Sequence, residues 1–282
     1  MIAVKDFSFQ YSGADKPALQ HLNLEIADGD FVGIIGKNGA GKTTLTYALN
    51  GIIPHYFRGD FYGEVNVFGM DTVEVRPERL SLTVGSVLQD TDSQMIASVV
   101  EDEILFGLEN FGVPKGEIEG RIQYALENIG IVSLRYREIR SLSGGQKQKV
   151  AIAAILALKP RVIVLDEPTG ELDPQSSRQV YQVLKELNEN YGMTVIAVEQ
   201  KIMQLCEFSK KLLVMDEGRC RFYDDVPKVL AHHKELAQIG VNVPRVVTLA
   251  GRLTELGLSP DRIPVNIAEA QQMVRGILNG RT

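Results

Sequence analysis

The strongest constraint on this chain is a glycine-rich turn that joins an apolar run to a helix-forming segment. The turn reads GKNGAGKT at residues 36–43, after the apolar residues 31–35 and before residues 44–49. Its glycines let a polyphosphate approach the backbone, and the next amides lie at a helix N-terminus, where partial positive charge collects. This arrangement predicts a phosphate-binding loop, with a glycine turn that binds nothing as the alternative. The expected nucleotide contacts are Gly36, Asn38, Gly39, Ala40, Gly41, Lys42, Thr43 and Thr44.

Two side chains of this turn have predicted roles of their own. Lys42 is placed to reach the β- and γ-phosphates of the nucleotide, and the Thr43 hydroxyl is placed to bind Mg²⁺.

Composition restricts what the bound nucleotide serves. The 282 residues are 44% apolar, which suffices for one large domain or for a core domain with a smaller appendage. A net charge of −6 argues against a nucleic-acid binder that works through a basic surface. Cys206 and Cys220 lack the spacing of a metal site, so we expect reduced thiols and a cytosolic compartment.

The sequence contains no candidate membrane span. No apolar run approaches the roughly 18 residues needed to cross a bilayer, and the N-terminus lacks a basic segment followed by a long apolar core. If the protein works at a membrane, we expect another chain to supply the membrane part.

The apolar pattern predicts an α/β fold. Residues 7–11 and 22–26 alternate apolar with polar side chains, which indicates an antiparallel pair of half-buried strands at the start of the chain. Residues 31–35, 162–165 and 195–198 are apolar on both faces, as in the strands of a covered parallel sheet. We therefore expect a ligand at the carboxyl ends of the parallel strands.

Two segments depart from this pattern. Helical spacing from 99 to 140 predicts a helical subdomain, at about residues 90–140, inserted in the sheet. From residue 226 the spacing is again helical and is interrupted by prolines, including Pro260. We accordingly predict a core domain at 1–225 and a C-terminal helical appendage at 226–282.

Two carboxylates, Asp166 and Glu167, follow the predicted strand at 162–165. Asp166 is expected to hold Mg²⁺ directly or through water, and Glu167 to polarise an attacking water, because phosphoryl transfer depends mainly on positioning and charge stabilisation. The alternative is a pair of solvent-exposed acids after a strand.

A second glycine-containing motif predicts a second anion site. Ser143 can cap an apolar helix at 147–158, and the glycines beside it leave the first amides free to meet a phosphate. A capped helix start without a ligand is the alternative. The motif consists of Leu142, Ser143, Gly144, Gly145 and Gln146.

These motifs, in this order, resemble those of the ATPase subunit of the ATP-binding cassette family. The resemblance covers residues 1 to about 225 and rests on the phosphate loop, on 142–146 and on 161–168. It implies a P-loop NTPase core, with an N-terminal antiparallel β-subdomain beside the parallel sheet, that hydrolyses ATP with Mg²⁺. It also implies a head-to-tail dimer in which the motif at 142–146 of one subunit meets the γ-phosphate held by the other.

The resemblance assigns further residues. It implies that Tyr11 stacks on adenine, that Gln89 contacts Mg²⁺ or the attacking water, and that Asp173 lies in the loop that crosses the dimer interface. Without the resemblance, Tyr11 would be a strand-end aromatic and Gln89 a polar loop residue.

Three stretches narrow the match within the family. Residues 50–59, 89–94 and 100–110 look like the ATPases of energy-coupling factor importers for vitamins and metal ions, and the helical appendage agrees with them. In such a complex we expect a short helix of a membrane protein to lie in a groove beside Phe106 and Leu108.

Two positions depart from the family pattern. Gln200 stands where the family has its switch histidine, in the sequence VEQK that ends at Lys201, which puts hydrolysis at this subunit's own site in question. Glu171 stands where a small residue is common, and this change is consistent with an asymmetric dimer interface.

The sequence thus predicts the motor subunit of a membrane importer, peripheral on the cytoplasmic face of the cell membrane. Its expected partners are membrane-spanning subunits and a second cassette, identical or different, with no nucleic acid. The alternatives are a hydrolysis-poor regulatory cassette of a heterodimer and a soluble mechanical ATPase.

Overall fold

A computed structural model describes residues 1–200, 202–258 and 262–279. Lys201, Pro260 and the end of the predicted appendage at 280–282 lie outside the described residues. The strands are β1 (Ile2–Tyr11), β2 (Leu19–Ile26), β3 (Phe31–Ile35), β4 (Gly59–Val67), β5 (Met70–Asp71), β6 (Val84–Val87), β7 (Val162–Asp166), β8 (Thr194–Val198), β9 (Lys211–Asp216) and β10 (Arg219–Asp225).

Helices occupy the segments between and after these strands. They are α1 (Lys42–Leu49), α2 (Ile52–His55), α3 (Pro77–Leu80), α4 (Val100–Asn110), α5 (Lys115–Ile129), α6 (Gly144–Ala157), α7 (Pro174–Tyr191), α8 (Ile202–Phe208), α9 (Val226–Ala231), α10 (His233–Gln238), α11 (Arg245–Glu255) and α12 (Ile267–Asn279). Among the described residues, none of these helices is both long enough and apolar enough to cross a membrane.

The chain opens with an antiparallel sheet in the order β2-β1-β4-β5, as the alternating pattern predicts. Phe7 pairs with Leu22 across β1 and β2, and both side chains are fully buried. Successive side chains of a strand point to opposite faces of the sheet, so the alternating pattern places the apolar side chains on one face, which is buried.

The second sheet has the order β10-β9-β3-β8-β7-β6. Neighbouring strands from β9 to β6 are parallel, and β10 adds an antiparallel edge. Every residue of β3, β7 and β8 is buried, which explains why these strands lack alternation. The predicted α/β fold is confirmed, and the carboxyl ends of β3, β7 and β8 meet at one edge.

The helical regions lie where the sequence places them. Helices α4 and α5 fall in the predicted insertion and pack with α6, while α9 to α12 lie in the predicted appendage, the first of them starting at Val226. Val229 and Leu236 belong to the same buried cluster as Leu165 of β7, so the core continues from the sheet into the C-terminal helices. The domain boundaries at 90–140 and at 225 stay predictions.

Candidate nucleotide-binding site

The phosphate loop connects the carboxyl end of β3 to α1. Gly41 has a φ of 94°, and a Cβ at this position would lie 2.6 Å from the Ala18 carbonyl oxygen. Because only glycine has both this backbone freedom and this clearance, the loop packs closely against the start of β2. The helix begins at Lys42, two residues before the segment at 44–49 that the sequence suggested.

Lys42 is buried and points back over the loop. Its Nζ donates hydrogen bonds to the carbonyl oxygens of Gly36, at 2.8 Å, and Lys37, at 3.1 Å. Burial lowers the pKa of Lys42, while the nearby carboxylates of Glu167 and Asp166 oppose that shift. Within the described residues, the loop thus holds an ammonium group in place through carbonyl oxygens and without a bonded carboxylate.

One cavity of about 410 Å³ brings most of the predicted site together. Ala18 also lines it, and sequence reasoning missed this residue because nothing in the local pattern at the start of β2 indicates a contact with the loop. The predicted residues that line the cavity are Asn38, Gly39, Gly41, Lys42, Thr43, Thr44, Gln89, Glu167 and Gln200.

Asp166 ends β7 and is 2% exposed. Neither of its carboxylate oxygens has a hydrogen-bond partner in the part of the chain that the structure describes. Burial raises the pKa of Asp166, an effect that the nearby Thr43 hydroxyl and Lys42 oppose and that Glu167 strengthens. A buried carboxylate without a partner is costly, so this position fits a bound cation.

The donor set fits Mg²⁺ held jointly with a nucleotide. Asp166 offers carboxylate oxygens, Thr43 a hydroxyl and Gln89 an amide oxygen, which are the hard ligands that Mg²⁺ prefers alongside phosphate and water. Within the described residues, no group of three or more His, Cys, Asp or Glu side chains could hold a metal ion alone.

Glu167 lines the cavity and lies between two side-chain amides. Gln89 Nε2 donates to Oε2 at 3.1 Å, and Gln200 Nε2 donates to Oε1 at 2.8 Å. The backbone of Glu167 has a φ of 52°, which is uncommon for a residue with a side chain. Its N–H donates to the Val198 carbonyl at 2.9 Å, so the turn after β7 is tied to the end of β8.

Tyr11 lies beside the cavity. Its hydroxyl shares a 3.1 Å hydrogen bond with the Thr44 hydroxyl, and its ring meets Phe57 edge-on at 5.9 Å. The structure therefore brings the predicted base-stacking residue to the start of α1, while the stacking itself stays a prediction. Ala40 does not line the cavity; it is buried in the apolar cluster that both sheets share.

The second glycine-containing motif starts α6. Ser143 and Gln146 form a reciprocal cap: Ser143 N–H donates to Gln146 Oε1 at 3.0 Å, and Gln146 N–H donates to Ser143 Oγ at 3.3 Å. Because this cap fixes the first turn, the helix begins at Gly144 and not near residue 147. The motif does not line the 410 Å³ cavity, and its contact with a second subunit's ATP stays a prediction.

The loop after Glu167 packs on this motif. A Cβ on Gly144 would lie 3.1 Å from Glu171 Oε2, so the Glu171 side chain lies along the glycine. Asp173 then caps α7, and its Oδ1 accepts hydrogen bonds from the N–H groups of Gln175 and Ser176, both at 3.0 Å. Asp173 thus fixes the first turn of α7, while its role in a dimer stays a prediction.

Gln148 is a connecting residue that sequence reasoning missed. Its Nε2 donates to the Glu167 carbonyl at 2.9 Å, and its Oε1 accepts from the Glu171 N–H at 3.3 Å. The side chain thus joins α6 to the turn that carries Glu167. In the sequence, Gln148 is one polar residue on the helix that follows the glycine motif, and nothing there indicates which group it contacts.

A second cavity, of about 350 Å³, lies beside the helical insertion. Phe106, 42% exposed, and Phe111 line it. Leu108 is fully buried and belongs to the core cluster, so the expectation that it borders the groove is wrong. Residues 106 and 108 point to different faces of α4, since neighbours two apart on a helix do not share a face.

A phosphate loop at the carboxyl edge of a parallel sheet, together with two carboxylates at the end of β7, two strands away at the same edge, defines a P-loop nucleotide hydrolase. Residues 19–170 match the ABC transporter family model. Over 282 residues the chain is 38% identical to the energy-coupling factor transporter ATP-binding protein EcfA1 of Caldanaerobacter subterraneus subsp. tengcongensis, and the match spans 98% of each chain. Two relatives from Methanosarcina acetivorans and Methanosarcina mazei are longer, and the chain spans 40% and 44% of their lengths.

Solved structures agree with this assignment. The structure of cbiO1 from Clostridium perfringens, part of the ABC transporter complex cbiONQ, matches with a TM-score of 0.73 and 31% identity over 88% of this chain and 97% of that chain. The dimeric cassette MJ0796, in a post-hydrolysis state bound to ADP and Pi, matches with a TM-score of 0.71 and 26% identity over 80% of this chain and 99% of that chain. The chain belongs to the ABC transporter family and is the ATPase subunit of a transporter.

Proposed function

We propose that this ATPase drives an energy-coupling factor importer for a vitamin or a metal ion, as a peripheral subunit on the cytoplasmic face of the membrane. The observation that carries the proposal is the match to EcfA1, which spans 98% of both chains and so includes the helices after residue 226. The similarity to cbiO1, part of the complex cbiONQ, supports the same branch of the family.

In this proposal the cavity residues bind and orient ATP. Lys42 reaches the β- and γ-phosphates, the amides at the start of α1 donate to them, and Tyr11 stacks on the base. Asp166, Thr43 and Gln89 hold Mg²⁺, which when bound neutralises charge on the phosphates. Glu167 accepts a hydrogen bond from the attacking water and aligns it, with Gln89 and Gln200 holding the carboxylate.

The motif at 142–146 then serves the ATP of a second cassette. Ser143 and the first amides of α6 offer hydrogen-bond donors to a γ-phosphate, and their helix N-terminus favours negative charge. ATP would close the two cassettes head to tail, and hydrolysis with product release would open them. The groove beside Phe106 is the proposed seat of a membrane subunit's short helix, through which that motion reaches the membrane.

A second candidate function is a regulatory cassette that binds ATP and hydrolyses it slowly. The observation that favours it is Gln200, which donates a hydrogen bond to Glu167 but carries no charge. In that case a different cassette, which keeps a histidine at this place, would supply most of the turnover.

Cross-linking in isolated membranes tests the proposed function. Single cysteines at Ser93 or Ser98, both exposed beside the helical insertion, are introduced after Cys206 and Cys220 are replaced by serine. We expect cross-links to a multi-spanning membrane protein, and we expect none from the control Asn190→Cys at the exposed end of α7. Cross-links only to soluble proteins or nucleic acid would support a soluble mechanical ATPase and refute the importer.

A further inference from the structure

Glu199 is a buried carboxyl group that the proposed mechanism leaves without a role. It follows β8 directly and is 3% exposed, although its neighbour Gln200 lines the nucleotide cavity. Its Oε1 accepts two hydrogen bonds, one from Thr169 Oγ1 at 2.6 Å and one from the Tyr181 hydroxyl at 3.1 Å. Thr169 is 2% exposed and Tyr181 is fully buried.

The two donors belong to different parts of the molecule. Thr169 lies in the turn that carries Glu167: the Gly170 N–H donates to the Glu167 carbonyl at 3.2 Å, and the Leu172 N–H donates to the Thr169 carbonyl at 3.1 Å. This turn leads on to Glu171, which lies against the start of α6.

Tyr181 lies on the buried face of α7. Its ring stacks between Phe31, at 6.3 Å, and Phe208, at 5.6 Å. Its hydroxyl therefore holds Glu199 from the core side, and Thr169 connects the same carboxyl oxygen to the catalytic turn.

We propose that Glu199 is a positioning residue for ATP hydrolysis: through Thr169 it fixes the turn after β7, so that Glu167 keeps its alignment with Gln200. This inference rests on the roles proposed above for Glu167 and Gln200. Backbone bonding alone ties the turn to β8 at one point, from the Glu167 N–H to Val198. The Gln148 side chain holds the same turn from α6, at the Glu167 carbonyl and the Glu171 N–H. The Thr169–Glu199 bond adds a second attachment on the β8 side, between those two positions, and so opposes a shift of the turn away from Gln200.

This coupling affects the rate of the chemical step more than ATP binding. In the proposed mechanism the phosphate loop holds ATP through Lys42 and α1. Within the described residues, the side chains of Glu199 and Thr169 hydrogen-bond to neither of these. A reacting group displaced by about 1 Å loses up to ~10²-fold in rate. Loss of the Thr169–Glu199 bond should accordingly lower kcat and leave KM for ATP nearly unchanged.

The test compares variants that remove or keep this bond in the purified transporter complex. Thr169→Val keeps the shape of the side chain and removes the hydroxyl, while Thr169→Ser keeps the hydroxyl. We expect Thr169→Val, and Thr169→Ala if valine does not fold, to lower kcat by about 10- to 100-fold with KM for ATP within about twofold of wild type. Thr169→Ser should restore most of kcat.

Variants of Glu199 test the same bond from its other end. Glu199→Gln keeps an oxygen acceptor and should retain most of kcat, while Glu199→Met removes the acceptor and should lower kcat as Thr169→Val does. Because Thr169→Val and Glu199→Met remove one and the same bond, the double variant should lose no more than either single one.

Tyr181→Phe is the matched control for a merely structural role. It removes the other hydrogen bond to the same oxygen but leaves the Thr169–Glu199 bond in place, so it should lower Tm and cost much less kcat than Thr169→Val. A wild-type kcat in Thr169→Val, or equal losses of kcat in Tyr181→Phe and Thr169→Val, would overturn the proposal.

Glu167→Gln, measured in parallel, separates this proposal from the roles on which it rests. If Glu167→Gln hydrolyses ATP at the wild-type rate, the proposed role of Glu167 in hydrolysis is refuted. The proposal that Glu199 positions Glu167 for that role is then refuted as well. If Glu167→Gln is inactive and Thr169→Val is fully active, the role of Glu167 stands and the positioning by Glu199 alone is refuted.

Discussion

The side-chain amide of Gln200 donates a 2.8 Å hydrogen bond to Oε1 of Glu167. Gln89 donates to the other oxygen at 3.1 Å, so two neutral amides hold the carboxylate from both sides. Glutamine at position 200 can therefore still donate a hydrogen bond that orients Glu167. It cannot carry positive charge or shuttle a proton, both of which an imidazole can do.

Gln200→His should raise the ATPase rate of the purified subunit. A preorganised group that stabilises developing charge contributes ~10²–10³-fold to rate, and histidine would add such a group next to the γ-phosphate. Steady-state phosphate release, measured at saturating ATP, checks this.

The control is Gln200→Ala, which removes the hydrogen bond to Glu167 and should lower the rate below wild type. If Gln200→Ala and Gln200→His both hydrolyse ATP at the wild-type rate, position 200 does not limit hydrolysis. The hypothesis that Gln200 makes this site hydrolyse ATP slowly is then wrong.

An unlike second cassette would make the two ATP sites of the dimer unequal. Glu167→Gln in this chain should then reduce the rate of the whole complex less than the matching change in the partner does, since the partner's site carries most of the turnover. Equal losses from the two changes would favour a homodimer or two equally active sites.

Lys42→Ala should weaken ATP binding strongly. A charge-assisted hydrogen bond contributes about 1.5–3 kcal/mol, which corresponds to roughly 10- to 150-fold in Kd. Titration calorimetry with the non-hydrolysing Glu167→Gln variant as background measures this change.

Lys37→Ala is a matched control from the same loop. The Lys37 ammonium pairs with Asp216 at 3.2 Å and does not line the cavity. We expect its Kd for ATP to stay within about threefold of wild type, a change below about 1 kcal/mol. Comparable losses in the two variants would contradict the assignment of Lys42 as the phosphate-binding cation.

The sequence predicted those parts of the site that depend on neighbouring residues. The turn from β3 into α1, the carboxylates that follow β7 and the helix cap at Ser143 each rest on residues within one turn of one another. Such features are visible because glycine freedom, strand burial and capping are local properties of the backbone.

The connections between these parts were not predictable. Gln148 reaches Glu167 across 19 residues, and Thr169 reaches Glu199 across 30. Each contact depends on how α6, β7 and β8 pack, and a polar side chain alone does not reveal which carbonyl or carboxyl it will meet. For the same reason the buried Leu108 was assigned to a groove that Phe106 lines.

Glu199 predicts how stability depends on pH. Burial raises its pKa, the hydrogen bonds from Thr169 and Tyr181 oppose that shift, and the nearby Glu167 adds to it. Between the ordinary value of 4.5 and the higher value in the folded chain, the folded state binds more protons than the unfolded state. The contribution of Glu199 to the free energy of unfolding therefore decreases as pH rises through that window.

Glu199→Gln should remove this contribution, because the amide is neutral at every pH. We expect the urea midpoint of Glu199→Gln, relative to wild type, to increase from about pH 5 to about pH 8. Tyr181→Phe is the control: it keeps the carboxyl group and removes one bond that opposes the shift, so its midpoint should still fall with rising pH. A constant difference between Glu199→Gln and wild type across this range would mean that Glu199 is ionised throughout it, and that its bonds to Thr169 and Tyr181 outweigh the cost of burying its charge.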